Sequence, residues 1–62
     1  MLTEKDIDAF AEELIIRYGA LADVQALKRA NVLAQAGDTQ NSEVWFRIRE
    51  RLIELQVPHA HQ

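Results

Sequence analysis

Apolar residues recur at every third or fourth position along most of the chain, which is the pattern of amphipathic helices. Gly19 and Gly37 interrupt this pattern, and glycine is the residue type that most often ends a helix. The pattern therefore predicts three helices, at approximately residues 4–18, 21–36 and 41–57. Thr3 is a good N-cap for the first helix, and Asp6 stands where a capping box needs an acceptor.

Short turns at the two glycines favour antiparallel neighbours, so the predicted fold is all-α, a small antiparallel bundle of three short helices. The predicted core face of the first helix comprises Ile7, Phe10, Ala11, Leu14 and Tyr18. The core face of the second helix is rich in alanine, which allows helix axes to approach closely. It comprises Ala22, Val24, Ala26, Leu27, Ala30, Leu33 and Ala34. Residues 1–57 are predicted to form a single helical domain, and residues 58–62 a flexible C-terminal tail.

The third helix carries apolar residues on two sides. One set falls within an arc of about 100°, and we name it the inner stripe. The inner stripe comprises Val44, Trp45, Ile48, Leu52 and Leu55. The second set, the outer stripe, comprises Phe46, Ile53 and Val57, with Arg49 and Glu50 at its rim. One helical hairpin covers one stripe, so the outer stripe requires another surface.

Two arrangements supply that surface. In a closed three-helix bundle, the first helix covers one stripe and the second helix covers the other. In a two-fold homodimer, a second copy of the chain covers the outer stripe. A chain of 62 residues builds only a small core, and this one has no cysteine for disulfides or thiolate metal sites. We therefore favour the homodimer, with another protein partner as the remaining option. The predicted interface is Phe46, Arg49, Glu50, Ile53 and Val57.

The composition narrows the class of protein. Apolar residues make up 48% of the chain and charged residues 27%, which is typical of a globular domain. The net charge of −3 argues against nucleic acid or an anionic membrane as the main partner. No apolar run approaches the roughly 18 residues of a membrane span. The acidic N-terminal sequence does not resemble a secretion signal, so we expect a cytoplasmic protein.

The polar residues do not form a recognisable catalytic or metal-binding pattern. Glu12 and Glu13 are adjacent and point in different directions on a helix, so they do not form an acid–base pair. His59 and His61 form a His-x-His pattern without further ligands, which we interpret as part of the tail. The sequence supplies no nucleophile–base pair and no phosphate-binding loop. We therefore predict no enzymatic activity, no cofactor and no metal.

The arginines of the third helix are the basis of a second functional hypothesis, nucleic-acid binding. Arg47, Arg49 and Arg51 follow a turn at Gly37, as in a helix-turn-helix protein. They alternate with Glu43, Glu50 and Glu54, and the pairs Glu43–Arg47 and Arg51–Glu54 have salt-bridge spacing. This interleaving favours a solvated ion-pair face over a DNA-reading one. A small dimeric nucleic-acid-associated regulator is retained as the alternative function.

Two resemblances bear on the fold. Residues 30–58 resemble one unit of a tetratricopeptide repeat, in the order helix, Gly37–Asp38 turn, helix, proline. Repeat proteins need about three neighbouring units, so we interpret this segment as a helical hairpin. The chain also resembles a family of short, uncharacterised bacterial helical proteins. The resemblance is carried by Tyr18–Gly19, Ala22, Ala26, Ala30, Gly37–Asp38, Trp45, Arg47, Ile48 and Leu55. It implies a compact helical fold and no particular activity.

The predicted function is that of a small non-enzymatic protein–protein interaction protein. Such a protein acts as an adaptor, an inhibitor or an assembly factor through the packing of helices. The inner stripe holds the fold together in this interpretation, and the outer stripe contacts the partner.

Overall fold

The computed structural model describes residues 2–56, of which 91% are helical and none form strands, so the predicted all-α class is confirmed. The α-helical segments are α1 (Glu4–Tyr18), α2 (Ala22–Gln35) and α3 (Thr39–Gln56). A 3₁₀ turn at Gly19–Leu21 joins the first two, so helical residues continue without a break from Glu4 to Gln35. The prediction of three separate helices is wrong in this respect. The described chain has two continuous helical stretches, and the first is bent at the 3₁₀ turn.

Local side-chain chemistry explains where these segments begin and end. The Thr3 hydroxyl accepts a hydrogen bond from the Asp6 amide at 3.3 Å, and the Asp6 carboxylate accepts one from the Thr3 amide at 3.0 Å. The predicted capping box is therefore present. Gly19 has a φ of 58°, which residues with a side chain seldom adopt, and this conformation ends α1. The carboxylate of Asp38 caps α3 by accepting from the Asn41 amide at 3.3 Å. This cap starts α3 at Thr39, two residues before the predicted start.

The segments α2 and α3 form an antiparallel hairpin with a very close contact. Ala22, Ala26 and Ala30 are fully buried, and their small side chains allow the helix backbones to approach. Near one end of the hairpin, the buried Ser42 hydroxyl donates to the Ala30 carbonyl at 2.9 Å. At the other end, the Gln56 amide nitrogen donates to the Gly19 carbonyl at 2.7 Å. The two bonds fix the register of the hairpin.

The segment α1 packs against α3 and, less extensively, against α2. Ile7 and Ala11 are buried in one cluster with residues of both segments, and Leu14 is half-buried beside them. Phe10 and Tyr18 were predicted on the same core face but are exposed. The strip that α1 buries is narrow, so residues at its edges stay in solvent.

The core is small and the molecule is elongated. Its buried apolar residues are Ile7, Ala11, Ala22, Ala26, Ala30, Ile48 and Leu52. Among the described residues, only Ile48 and Leu52 are large side chains that are fully buried. The Cα radius of gyration is 11.9 Å, whereas a compact chain of this length has a radius of about 10.6 Å. All three segments contribute to the buried cluster, but α2 and α3 pack together more extensively than α1 packs on either.

Because α2 and α3 are in close contact, we expect a larger side chain in place of a buried alanine to destabilise the protein. Ala26→Leu inserts three carbon atoms into a space that is fully buried, so we expect a loss of about 1–3 kcal/mol of unfolding free energy. Ala9→Leu makes the same change at an exposed position of α1 and should be close to neutral. Urea denaturation followed by circular dichroism measures both. Equal stability of the two variants would show that α2 and α3 are not in close contact.

Candidate interaction surface

The inner stripe contacts α1 and α2 as a core face, with one exception. Ile48 and Leu52 are fully buried, and Val44 and Trp45 pack partly buried against the same cluster. Leu55 was predicted to belong to this core but is 46% exposed. It lies one turn beyond Leu52, in the final turn of α3, where neighbouring helices cover less of the surface. The inner stripe therefore acts as core from Val44 to Leu52 only.

The outer stripe is outside the core cluster. Phe46 is 38% exposed and Ile53 is half-buried, and neither belongs to the buried cluster. Arg51, which contacts α1 through Asp8, lies about 140° to 160° around α3 from both of them. The segment α1 is thus on nearly the opposite side of α3. Val57, the third predicted member of the outer stripe, lies outside the described residues.

An adjoining flank of α2 extends this apolar surface. The Arg29 guanidinium lies over the Trp45 ring, 5.6 Å from its centroid, and marks one flank of the α2–α3 hairpin. Leu27 is about 160° around α2 from Arg29, and Val24 is about 140° from it. Leu27 therefore lies on the flank away from Trp45, which is the flank of the outer stripe, whereas Val24 is about 160° from the buried Ala26 and lies on the back of α2. Leu27 is half-buried, so the apolar surface continues from α3 onto this flank of α2.

The two rim residues differ in exposure. Arg49 is half-buried and Glu50 is exposed. The Nε atom of Arg49 is buried and has no hydrogen-bond acceptor within residues 2–56. No ion pair in this part of the chain includes either residue. The rim of the outer stripe thus holds one positive and one negative side chain, neither of them neutralised by a neighbour.

Arg51, unlike Arg49, forms ion pairs within the described residues. Arg51 forms ion pairs with Asp8 of α1 and, at 2.9 Å, with Glu54 of α3. The hydrogen bond to Glu54, followed by the hydrogen bond and charge of Asp8, raises the pKa of Arg51 above its ordinary value. The predicted Arg51–Glu54 pair is present, whereas the predicted Glu43–Arg47 pair is absent. Arg51 therefore links α1 to α3 through its contact with Asp8.

A groove of about 350 Å³ lies between the start of α1 and the back of α3. It is lined by Glu4, Ile7, Asp8, Arg47, Glu50, Arg51 and Glu54. Its acidic and basic side chains are mixed, and it contains neither a nucleophile paired with a base nor a histidine. Within residues 2–56, no three or more His, Asp or Glu side chains are grouped to hold a metal ion. His59 and His61 lie outside the described residues.

Comparison with protein families, curated proteins and solved structures found no match for this chain. In the part of the chain that the structure describes, no helix is sufficiently long and apolar to cross a membrane.

Sequence periodicity located the outer stripe but missed several contacts that define its surroundings. The stacking of Arg29 on Trp45 and the bond from Gln56 to Gly19 join residues that are distant in sequence. No local spacing signals such pairs. The alanine-rich face of α2 was the one sequence feature that indicated part of these surroundings, because it predicted that α2 packs closely on a neighbouring helix.

The different environments of Ile48 and Phe46 lead to a prediction. Ile48→Ala removes atoms from the centre of the core, and we expect it to cost about 2–5 kcal/mol. Phe46→Ala removes a larger side chain, yet should cost less than half as much in the dilute monomer because this ring is outside the core. Chemical denaturation at low protein concentration measures both values. If Phe46→Ala is as destabilising as Ile48→Ala, the outer stripe belongs to the core of the single chain.

Proposed function

We propose that this protein is a small non-enzymatic interaction protein, and that it acts through helix packing along the outer stripe. The first partner is a second copy of the same chain, so that the working unit is a homodimer. An adaptor, an inhibitor or an assembly factor is the functional class that fits such a surface. The observation that carries the proposal is the position of Phe46 and Ile53, outside the core and nearly opposite α1.

The small size of the core also supports the proposal. Two large, fully buried side chains and four buried alanines exclude little apolar surface from water. A domain of this size usually gains stability from a disulfide, a metal or an additional chain. With no cysteine in the sequence, packing against another chain is the means that remains for this apolar surface.

The positions of the arginines favour this function over the nucleic-acid alternative. Arg51 is committed to Asp8 and Glu54, and Arg29 to Trp45. Only part of the positive charge of the hairpin is therefore available for phosphates. Glutamates alternate with the arginines along the sequence of α3, and the net charge of the whole chain is −3.

The test is the solution mass of the protein as a function of concentration, measured by sedimentation and light scattering. We expect the native chain to be a dimer. Phe46→Glu/Ile53→Glu should give a helical monomer, because four glutamates would then face each other across the interface. Ile16→Glu is the matched control, since Ile16 is 80% exposed on α1, and this variant should still dimerise.

Three results would contradict the proposal. A native chain that is monomeric at every concentration has no self-association through the outer stripe. A double variant that loses its circular dichroism signal would show that the stripe supports the fold of the single chain. Loss of the dimer in Ile16→Glu, with the double variant unaffected, would place the interface on α1.

A further inference from the structure

Arg49 provides the most specific information about how a second copy would bind. Its Nε atom is buried without an acceptor, and no carboxylate within residues 2–56 lies at ion-pair distance from it. The other buried arginine Nε, that of Arg51, does lie at such a distance from the Asp8 carboxylate. The terminal nitrogens of the Arg49 guanidinium are not buried, so they are the atoms that a second chain can reach. Arg49 therefore lacks a negatively charged partner that another chain could supply.

The positions of the rim charges on α3 restrict where that partner comes from. Phe46 and Ile53 are seven residues apart, so they lie within about 20° of the same side of the helix. Arg49 lies about 50° to one side of the line that joins them, and Glu50 about 50° to the other. The outer stripe therefore has a positive flank, next to α2, and a negative flank, at the edge of the groove between α1 and α3.

The direction of helix pairing decides which flanks meet. If two copies of α3 pair antiparallel about a two-fold axis, each flank meets the same flank of the partner. Arg49 then faces the partner's Arg49, and Glu50 faces the partner's Glu50. If the copies are parallel and in register, each flank meets the opposite flank, as in parallel coiled coils. Arg49 then faces the partner's Glu50 at a height difference of about 1.5 Å along the axis.

We propose, on the basis of the dimer proposed above, that two copies of the chain pair their α3 helices in parallel and in register along the outer stripe. Phe46 and Ile53 pack against the same residues of the partner, and two symmetric ion pairs join Arg49 to the partner's Glu50. Each pair supplies a carboxylate to the Arg49 guanidinium, which has no ion-pair partner within residues 2–56. Leu27, on the adjoining flank of α2, extends the apolar surface that the partner helix covers.

Charge reversal tests this arrangement. Arg49→Glu gives two facing pairs of glutamates, and Glu50→Arg gives two facing pairs of arginines. We expect each single variant to dimerise at least about tenfold more weakly than the native chain. An equimolar mixture of the two variants should form a heterodimer of nearly native affinity, as should the double variant Arg49→Glu/Glu50→Arg with itself. Arg47→Glu is the control, because Arg47 lies away from the outer stripe, and its dimer should be unchanged.

Antiparallel pairing gives a different set of results. Like charges would face each other in the native dimer and in both single variants, so all three would have similar affinities. The mixture of variants would then bind more tightly than the native chain. That result would overturn the parallel arrangement and leave the proposed homodimer intact. A native chain that stays monomeric at all concentrations would overturn both.

Cross-linking measures the orientation without altering the charges. Because the chain has no cysteine, Phe46→Cys and Ile53→Cys each introduce a single thiol. Parallel pairing predicts that each variant forms a disulfide with its own copy on mild oxidation. If disulfides form only when the two variants are mixed, the helices are antiparallel and the proposal is wrong. Circular dichroism of each variant verifies that it remains helical.

Discussion

The close approach of α2 and α3 is the constraint on which the rest of the molecule depends. Three alanines of α2 bring the two backbones together, and the buried Ser42 hydroxyl reaches the Ala30 carbonyl across the contact. This approach lets Ile48 and Leu52 be fully buried by a hairpin that has few other large core residues. The same closeness limits the width of the core. A hairpin this narrow covers one side of α3 and leaves the outer stripe at its edge.

The contacts of the arginines differ between the part of the hairpin that packs against α1 and the part that carries the outer stripe. Where α1 lies on α3, the Arg51 guanidinium is shared between two carboxylates, and Arg29 covers the Trp45 ring on the adjacent flank. Both arginines therefore make their contacts within the single chain. Arg49 is half-buried like Arg51, but within the described residues no ion pair includes it. This difference between two arginines of α3 separates the part of the surface that maintains the fold from the part that is suited to a partner.

The features of this fold that depend on near neighbours in sequence could be predicted, and the others could not. The capping box at Thr3 and the positive φ of Gly19 depend on residues within one helical turn, and both are present as expected. Periodicity also identified the two stripes of α3, because a side chain's angle around a helix depends only on its position. It could not show that Leu55 is exposed, since exposure depends on where the other helices end. Nor could it place Arg29 over Trp45, because that contact depends on the register between helices.

The order of the contacts along the chain has a consequence for folding. Only residues 36–38 separate α2 from α3, so closing their hairpin costs little chain entropy. The bond from Arg51 to Asp8 joins residues that are 43 positions apart, and α1 packs much less extensively on α2 than α3 does. Local contacts form faster than distant ones, so we expect the hairpin to assemble first and α1 to join it afterwards. The first helical segment to be synthesised is therefore the last to be packed.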